Sequence, residues 1–330
     1  MANLTKAARA LCRAAVLNEG KLNFDNKLDF ASLASVAEIT RFQDTSPEQV
    51  AERALDQDIL ITKEMTVSGP VIDSLPASVR LICEAGTGFN NIDVFAAERR
   101  GITVCNVPSY STQAVAQLVV TFMLNLSCSL VQQQKKLVEG DVAGWRSLQD
   151  LPHFELSGKT LGLVGGRGSI GAAVADIAIA LGMNVLISSR SPEPTSNPLV
   201  KVVDLDRLLQ ESDFVSIHCP LNDNTRYMIG SEQLKKMKNA AYLINTARGA
   251  IINEEELCVA LRNGTVAGAA LDVQEVEPLP SDSPLLSLPN VILTPHIGWQ
   301  RVETRQRLIN TVAQNCRQFL DGNPVNVVTT

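Results

Sequence analysis

The stretch "TLGLVGGRGSIGAAVADIAIALGMNVLISSR", Thr160 to Arg190, decides how the rest of the chain is read. The apolar run "TLGLVG" predicts a buried strand, "SIGAAVADIAIALG" a helix and "MNVLIS" a second buried strand, which together make a βαβ unit. Between the first strand and the helix, Gly166, Gly168 and Gly171 form GxGxxG. Glycines there permit a tight turn and close approach of the backbone to a pyrophosphate, and the helix N-terminus adds unpaired N–H donors and a favourable dipole. The motif alone is weak and also describes an ordinary glycine-rich turn. Set between this strand and this helix, it points to dinucleotide binding.

An acid at the end of the second strand would accept hydrogen bonds from both ribose hydroxyls of NAD and repel a 2′-phosphate. Ser189 occupies that slot, 18 residues after Gly171. The hydroxyls of Ser188, Ser189 and Ser191 can bond phosphate oxygens, and Arg190 offers the planar donor fork that suits them. NADP(H) is therefore the preferred cofactor, with NAD(H) still open. The plainer alternative is that Arg190 stacks on adenine or faces water.

Working outward, short apolar runs alternate with helical stretches along the chain, as in parallel sheets built from βαβ units. "RAAVL", "DILIT", "VRLICEAG" and "GITVCNVP" make a first series, with helical "SPEQVAERALD" and "NIDVFAAERR" between them. A single buried helix is predicted from about Thr112 to Val138, followed by a connection through "EGDVAGW". A second series then runs through "DFVSIHCP", "AAYLINT", "TVAGAALDV" and "NVILTPH", enough for a complete doubly wound sheet. The last helical stretch, "VETRQRLINTVAQNCRQFLDG", has no strand left to feed, so it is assigned back to the first domain. The expected architecture is α/β with two doubly wound parallel sheets. A Rossmann dinucleotide domain (108–300) is inserted into a flavodoxin-like substrate domain (1–107 and 301–330), with a cleft between the crossings.

Composition narrows the function. The chain has 330 residues, 45% of them hydrophobic, and 29 basic against 35 acidic residues give a net charge of −6 with no basic block. Nucleic acid is thus a poor partner. The longest apolar run, from Ala114, is interrupted by Gln117 and Asn125 and is short for a membrane span, so no membrane partner is expected. Seven cysteines without a CxxC pair read as core thiols of a reducing compartment, cytoplasm or an organelle matrix, and no metal site is indicated. Lys6, Arg9 and Arg13 without an acid faintly resemble a transit peptide, but a short leader before the first strand is the simpler reading.

Three histidines limit the search for an acid/base group: His153, His218 and His296. His296, Arg248 and Glu277 each lie just past a predicted strand end in the second series, the rim where open α/β sheets hold ligands. A cation for a carboxylate, a histidine to exchange a proton and an acid to keep it protonated suffice for hydride transfer to an α-keto acid. Taken singly, each has a plain alternative: a helix cap, a surface acid before Pro278, a turn histidine. His218 reads as a strand-end residue near the cofactor, and His153 lies in the connecting region.

"GLVGGRGSIG", "HCPLNDNT", "MKNAAYLINTARGAIINEEEL", "GAALDVQEVEPLP" and "LTPHIGW" together resemble, in order and over nearly the whole chain, the D-isomer-specific 2-hydroxyacid dehydrogenase family. "GTGFNNIDV", "NVPSYSTQAVAQ" and "ETRQRL" resemble most its hydroxypyruvate reductase and glycerate dehydrogenase group. The resemblance implies that Arg248 binds the substrate carboxylate, that His296 is the proton donor and acceptor, and that Glu277 is its partner. It further implies substrate contacts from Thr87, Gly88 and Tyr110, and Asp272 near the nicotinamide. Cofactor contacts are implied for Gly166, Arg167, Gly168, Ser169 and Ile170, for His218, Cys219, Pro220 and Thr225, and for Thr246, Ala247 and Gly298. Implied partners are a small 2-keto or 2-hydroxy acid, hydroxypyruvate or glyoxylate above all, and a second copy in a homodimer.

Three departures from the family pattern stand out. The glycine loop is one residue longer than the usual form, the second-strand acid is missing, and Glu64, preceded by Lys63, stands where many glycerate dehydrogenases carry lysine. The rival activities are an NAD-linked phosphoglycerate dehydrogenase, for which the chain leaves no room for a regulatory domain after Thr330, and a dinucleotide-sensing corepressor.

Overall fold

The computed structural model describes residues 12–147, 151–190 and 197–328. The sequence readings at Lys6, Arg9 and Ser191 lie outside the described residues. The chain divides into two compact units, Met1–Tyr110 with Gln300–Thr330, and Ser111–Trp299.

In the first unit, β1 (Arg13–Val16), β2 (Glu38–Arg41), β3 (Ile59–Thr62), β4 (Leu81–Glu84) and β5 (Thr103–Cys105) form a sheet in the order β2-β1-β3-β4-β5. Every pairing is parallel. β3 and β4 are buried along their whole length, as strands covered on both faces must be. One face packs Leu60, Ile82 and Val104 into a cluster with Ile72 and Ala96. The helix Val302–Leu320 packs against β4 and the short helix Ala31–Ala34. It is anchored by Arg305, 1% exposed, which donates to both carboxylate oxygens of Asp25 and to Leu22 O.

In the second unit, β6 (Thr160–Val164), β7 (Asn184–Ser188), β8 (Val200–Val202), β9 (Phe214–Ile217), β10 (Tyr242–Asn245), β11 (Gly268–Leu271) and β12 (Val291–Leu293) form a seven-stranded sheet. The order is β12-β11-β10-β9-β6-β7-β8, again parallel throughout. One face carries the helices Thr112–Cys128 and Ser169–Ala180 over Val119, Phe122, Leu163, Val174 and Ile187. The other buries Leu208, Leu234, Leu257 and Leu261 from three shorter helices against Val215 and Leu243. Strand order reverses between β6 and β9, so the loops after those two strands flank the crevice in which such sheets hold ligands.

The structure corrects several sequence expectations. β2 and β8 were not anticipated. β2 is an edge strand with no fully buried residue, so it lacks the apolar run that marked the others, and β8 is only three residues long. The helix predicted from Thr112 to Val138 is two helices, Thr112–Cys128 and Leu130–Val138, bent by 65° at Ser129. Ser129 takes a left-handed φ of 52°, which ends the first helix as a C-terminal glycine would. Only the first of the two is buried, and the connection after them contains a short helix, Val142–Arg146. Among the described residues no single helix is long and apolar enough to cross a membrane.

Candidate active site

β6 delivers the chain into the glycine-rich turn. The residue that makes the turn is Gly165, at φ +78°, where a Cβ would lie 2.7 Å from the Cys219 backbone nitrogen. The sequence reading gave the tight turn to the glycines of GxGxxG as a group; the left-handed φ falls instead on Gly165, just before the motif. Gly166 and Gly171 serve close packing instead. A Cβ on Gly171 would stand 2.4 Å from Gly166 Cα, and one on Gly166 2.5 Å from Leu163 Cβ. Gly168 then starts the helix Ser169–Ala180 without a side-chain cap, so the first-turn amides around Arg167, Ser169 and Ile170 need partners from outside the helix. Ser169 Oγ accepts a hydrogen bond from Thr112 Oγ1 at 3.2 Å.

The end of β7 lies beside this turn, because Gly165 N donates to Ser188 O at 2.8 Å. Ser188 and Ser189 are half-buried and Arg190 is exposed. From β9, His218 N donates to Val164 O at 2.7 Å, and the His218 ring shares a 2.9 Å hydrogen bond with Ser216 Oγ. Burial pulls the His218 pKa down to about 4, which makes the ring neutral at physiological pH. Cys219, whose thiol burial pushes up, packs on Gly165. Thr225 closes its own loop, donating to Pro220 O and accepting from Asn222 N, so its hydroxyl is committed locally.

The loops after β10, β11 and β12 hold the remaining candidates. Thr246 presents a buried hydroxyl oxygen that meets no hydrogen-bond partner among the described residues. Ala247 N donates to Asn245 Oδ1, and Asn245 Nδ2 donates to Arg248 O, so one buried asparagine shapes the turn that carries Arg248. Asp272, 1% exposed, accepts from Thr294 Oγ1 at 2.6 Å, Ile297 N at 2.8 Å and Gly298 N at 2.9 Å, and its carbonyl accepts from His296 N. Asp272 therefore organises the turn from Thr294 to Gly298 from beneath, and the Gly298 amide is occupied by it. The resemblance had put both residues against the cofactor.

His296 rides that turn at φ +54°, a strained conformation for a residue with a Cβ, held by these bonds. Its Nδ1 lies 2.8 Å from Glu277 Oε2, while Glu277 Oε1 accepts from Gln274 N at 3.1 Å. Arg248 is brought to the same rim. A Cβ on the adjacent Gly249 would fall 2.0 Å from the Gln274 carbonyl carbon, so the Arg248 and Glu277 loops are in direct backbone contact. His153 sits exposed in the segment before β6 and joins none of these groups.

In the first unit, the loop after β4 contains Thr87 and Gly88. Gly86 O accepts from Val107 N, Thr87 O from Asn106 Nδ2, and Thr87 Oγ1 donates to Val107 O. Its carbonyls and hydroxyl are thus engaged on that side. Tyr110 is 6% exposed, and its carbonyl accepts from Arg307 Nε.

Sequence reasoning missed the network beside this loop. Lys63, 2% exposed, bonds Glu64 through Nζ, and its backbone N–H and C=O are both held by the Asn18 amide. Glu84 accepts from Thr62 Oγ1, Glu64 N and Asn91 Nδ2, and burial still raises its pKa. Glu64 at φ +51° was the available signal, but strain does not show in a sequence.

A turn too tight for any Cβ, an uncapped helix N-terminus and a buried hydroxyl without a partner fit a nicotinamide dinucleotide. The family model of the D-isomer specific 2-hydroxyacid dehydrogenase NAD binding domain matches residues 120–298. A hydroxypyruvate reductase of Blautia hydrogenotrophica is 37% identical over 310 residues, 91% of this chain and 95% of that one. A glyoxylate reductase of Korarchaeum cryptofilum is 38% identical over 299 residues, 88% and 89% of the two chains. An acyclic imino acid reductase solved with NADPH and D-Arg superposes with a TM-score of 0.85 at 28% identity, covering 96% of this chain and 99% of that one. With two parallel sheets, a dinucleotide turn and relatives that match it almost end to end, the chain belongs to the D-isomer-specific 2-hydroxyacid dehydrogenases, which use a nicotinamide dinucleotide on small 2-hydroxy and 2-keto acids.

Proposed function

We propose that the protein is an NADPH-dependent reductase of hydroxypyruvate or glyoxylate, giving D-glycerate or glycolate, and that the reaction is reversible. The observation that carries the chemistry is the 2.8 Å pairing of His296 Nδ1 with Glu277 beside the Arg248 loop. When bound, the cofactor supplies the hydride. Arg248 holds the substrate carboxylate. With Nδ1 committed to Glu277, the proton passes from His296 Nε2 to the carbonyl oxygen as hydride reaches the carbon, and the Glu277 carboxylate favours the protonated ring that this needs.

The NADP(H) preference rests on the end of β7, where Ser188, Ser189 and Arg190 stand and no acid repels a 2′-phosphate. The two named relatives support the substrate class. A homodimer is proposed from the helix Leu130–Val138 and the short helix after it, which expose Leu130, Val131, Leu137, Val138, Val142 and Trp145. A reducing compartment suits seven cysteines that are all free thiols. The cofactor assignment is tested by Arg190→Ala. Loss of a charge-assisted bond to phosphate should raise the Kd for NADPH by about tenfold to a hundredfold and leave NADH nearly unchanged. Equal losses for both would make Arg190 an adenine neighbour and remove the basis for the preference.

A further inference from the structure

Tyr227 has no part in the chemistry above, yet it touches both loops that carry it. It follows β9 and holds φ +52°, a conformation that a residue with a Cβ keeps only where its surroundings fix it. The residue is 43% exposed, so burial of apolar surface does not explain the position. Its N–H donates to Ala250 O at 2.8 Å, two residues beyond Arg248. Its hydroxyl donates to Glu275 Oε1, two residues before Glu277. Glu275 is fixed from a third side, its N–H donating to Glu254 Oε2 at 3.0 Å. The other charge near the tyrosine is Arg226, whose guanidinium lies 5.8 Å from the ring centroid.

We infer that Tyr227 is a positioning residue that sets the distance between Arg248 and the Glu277–His296 pair. Besides the Glu275–Glu254 bond, two contacts tie the loops together close to their functional side chains: Gly249 against the Gln274 carbonyl, and the bridge from Ala250 O through Tyr227 to Glu275. The first fixes how closely they approach. The second fixes how they slide, because it grips each loop within two residues of its functional side chain. Loss of the hydroxyl frees the Glu275–Glu277 segment to move along the rim. Glu277 then leaves His296 Nδ1 part of the time, and the carboxylate anchor and the proton donor fall out of register.

The kinetic consequence rests on the reductase reading, so the experiment has one arm that does not depend on it. Tyr227→Phe, Glu275→Ala and the double variant are compared with wild type for 2-keto acid reduction across pH. Each single variant should lose about tenfold in kcat/KM, with the alkaline limb of the profile displaced to lower pH. The double variant should lose no more than either single one, as expected of residues acting through one bond. NADPH affinity should stay as in wild type, since the glycine-rich turn is untouched. Independently of turnover, the NMR signals of the His296 ring protons should shift in Tyr227→Phe relative to wild type, because the hydrogen bond to Glu277 is then made only part of the time; unchanged signals would overturn the positioning role. A Tyr227→Phe protein within twofold of wild type and with a superposable pH profile would overturn the inference, as would additive losses. If the wild type reduces no 2-keto acid, the reductase reading fails and the NMR arm alone decides the positioning role.

Discussion

His296 illustrates how a side chain acquires a chemical role from its neighbours. It stands at a strained φ, its turn is held by Asp272, and its Nδ1 is held by Glu277. Glu277→Ala should therefore move the alkaline limb of the reductase pH profile to lower pH, because a nearby carboxylate favours the imidazolium; an unmoved limb would remove that role. His296→Ala should cut kcat by about two to four orders of magnitude and leave NADPH binding largely intact, which fluorescence titration can separate from turnover. His218 bears on stability through its burial. Its folded pKa of about 4 lies below the ordinary value of 6.5, so its contribution is complete above pH 6.5 and is lost as pH falls toward 4. Thermal unfolding of His218→Asn against wild type over that range should show a flatter pH dependence. The pairing of His296 with Glu277 was legible in the sequence because three chemically distinct residues, one of them among only three histidines, follow three strand ends. The place of Asp272 beneath the turn was not legible, because it depends on three bonds to residues 22 to 26 positions away, which no local pattern reveals.

At the scale of elements, visibility followed burial. Strands covered on both faces appear as continuous apolar runs, and ten of the twelve could be read that way. β2 could not, since "EITR" is mostly exposed, and β8 is shorter than any pattern that could identify it. The break at Ser129 was hidden for another reason: glycine or proline commonly marks such a stop, whereas here a serine holds the left-handed conformation and donates from Oγ to Pro152 O. The glycine-rich turn yields a further prediction. Gly165→Ala would put a Cβ at φ +78° and against the Cys219 backbone. It should lower stability by at least ~1–2 kcal/mol and weaken dinucleotide binding, whereas Gly101→Ala, also at positive φ but with nothing within 4 Å, should affect stability alone.

For the whole molecule, alternation of strand and helix was enough to infer two doubly wound sheets, because the connection rules for parallel strands leave few other arrangements. Self-association was less legible, since exposure of an apolar helix face appears only once the fold is known. Val138, 89% exposed, is the clearest case. Val138→Glu with Leu130→Glu should shift the protein to monomer in sedimentation analysis, and a dimer unaffected by both would place the interface elsewhere. The central claim concerns the reaction, and steady-state kinetics test it most directly: hydroxypyruvate, glyoxylate and phosphohydroxypyruvate, each with NADPH and with NADH. The account predicts the highest kcat/KM for hydroxypyruvate or glyoxylate with NADPH, at least about tenfold above the same substrate with NADH. A best rate for phosphohydroxypyruvate with NADH, or feeble turnover of all three with tight dinucleotide binding, would contradict it.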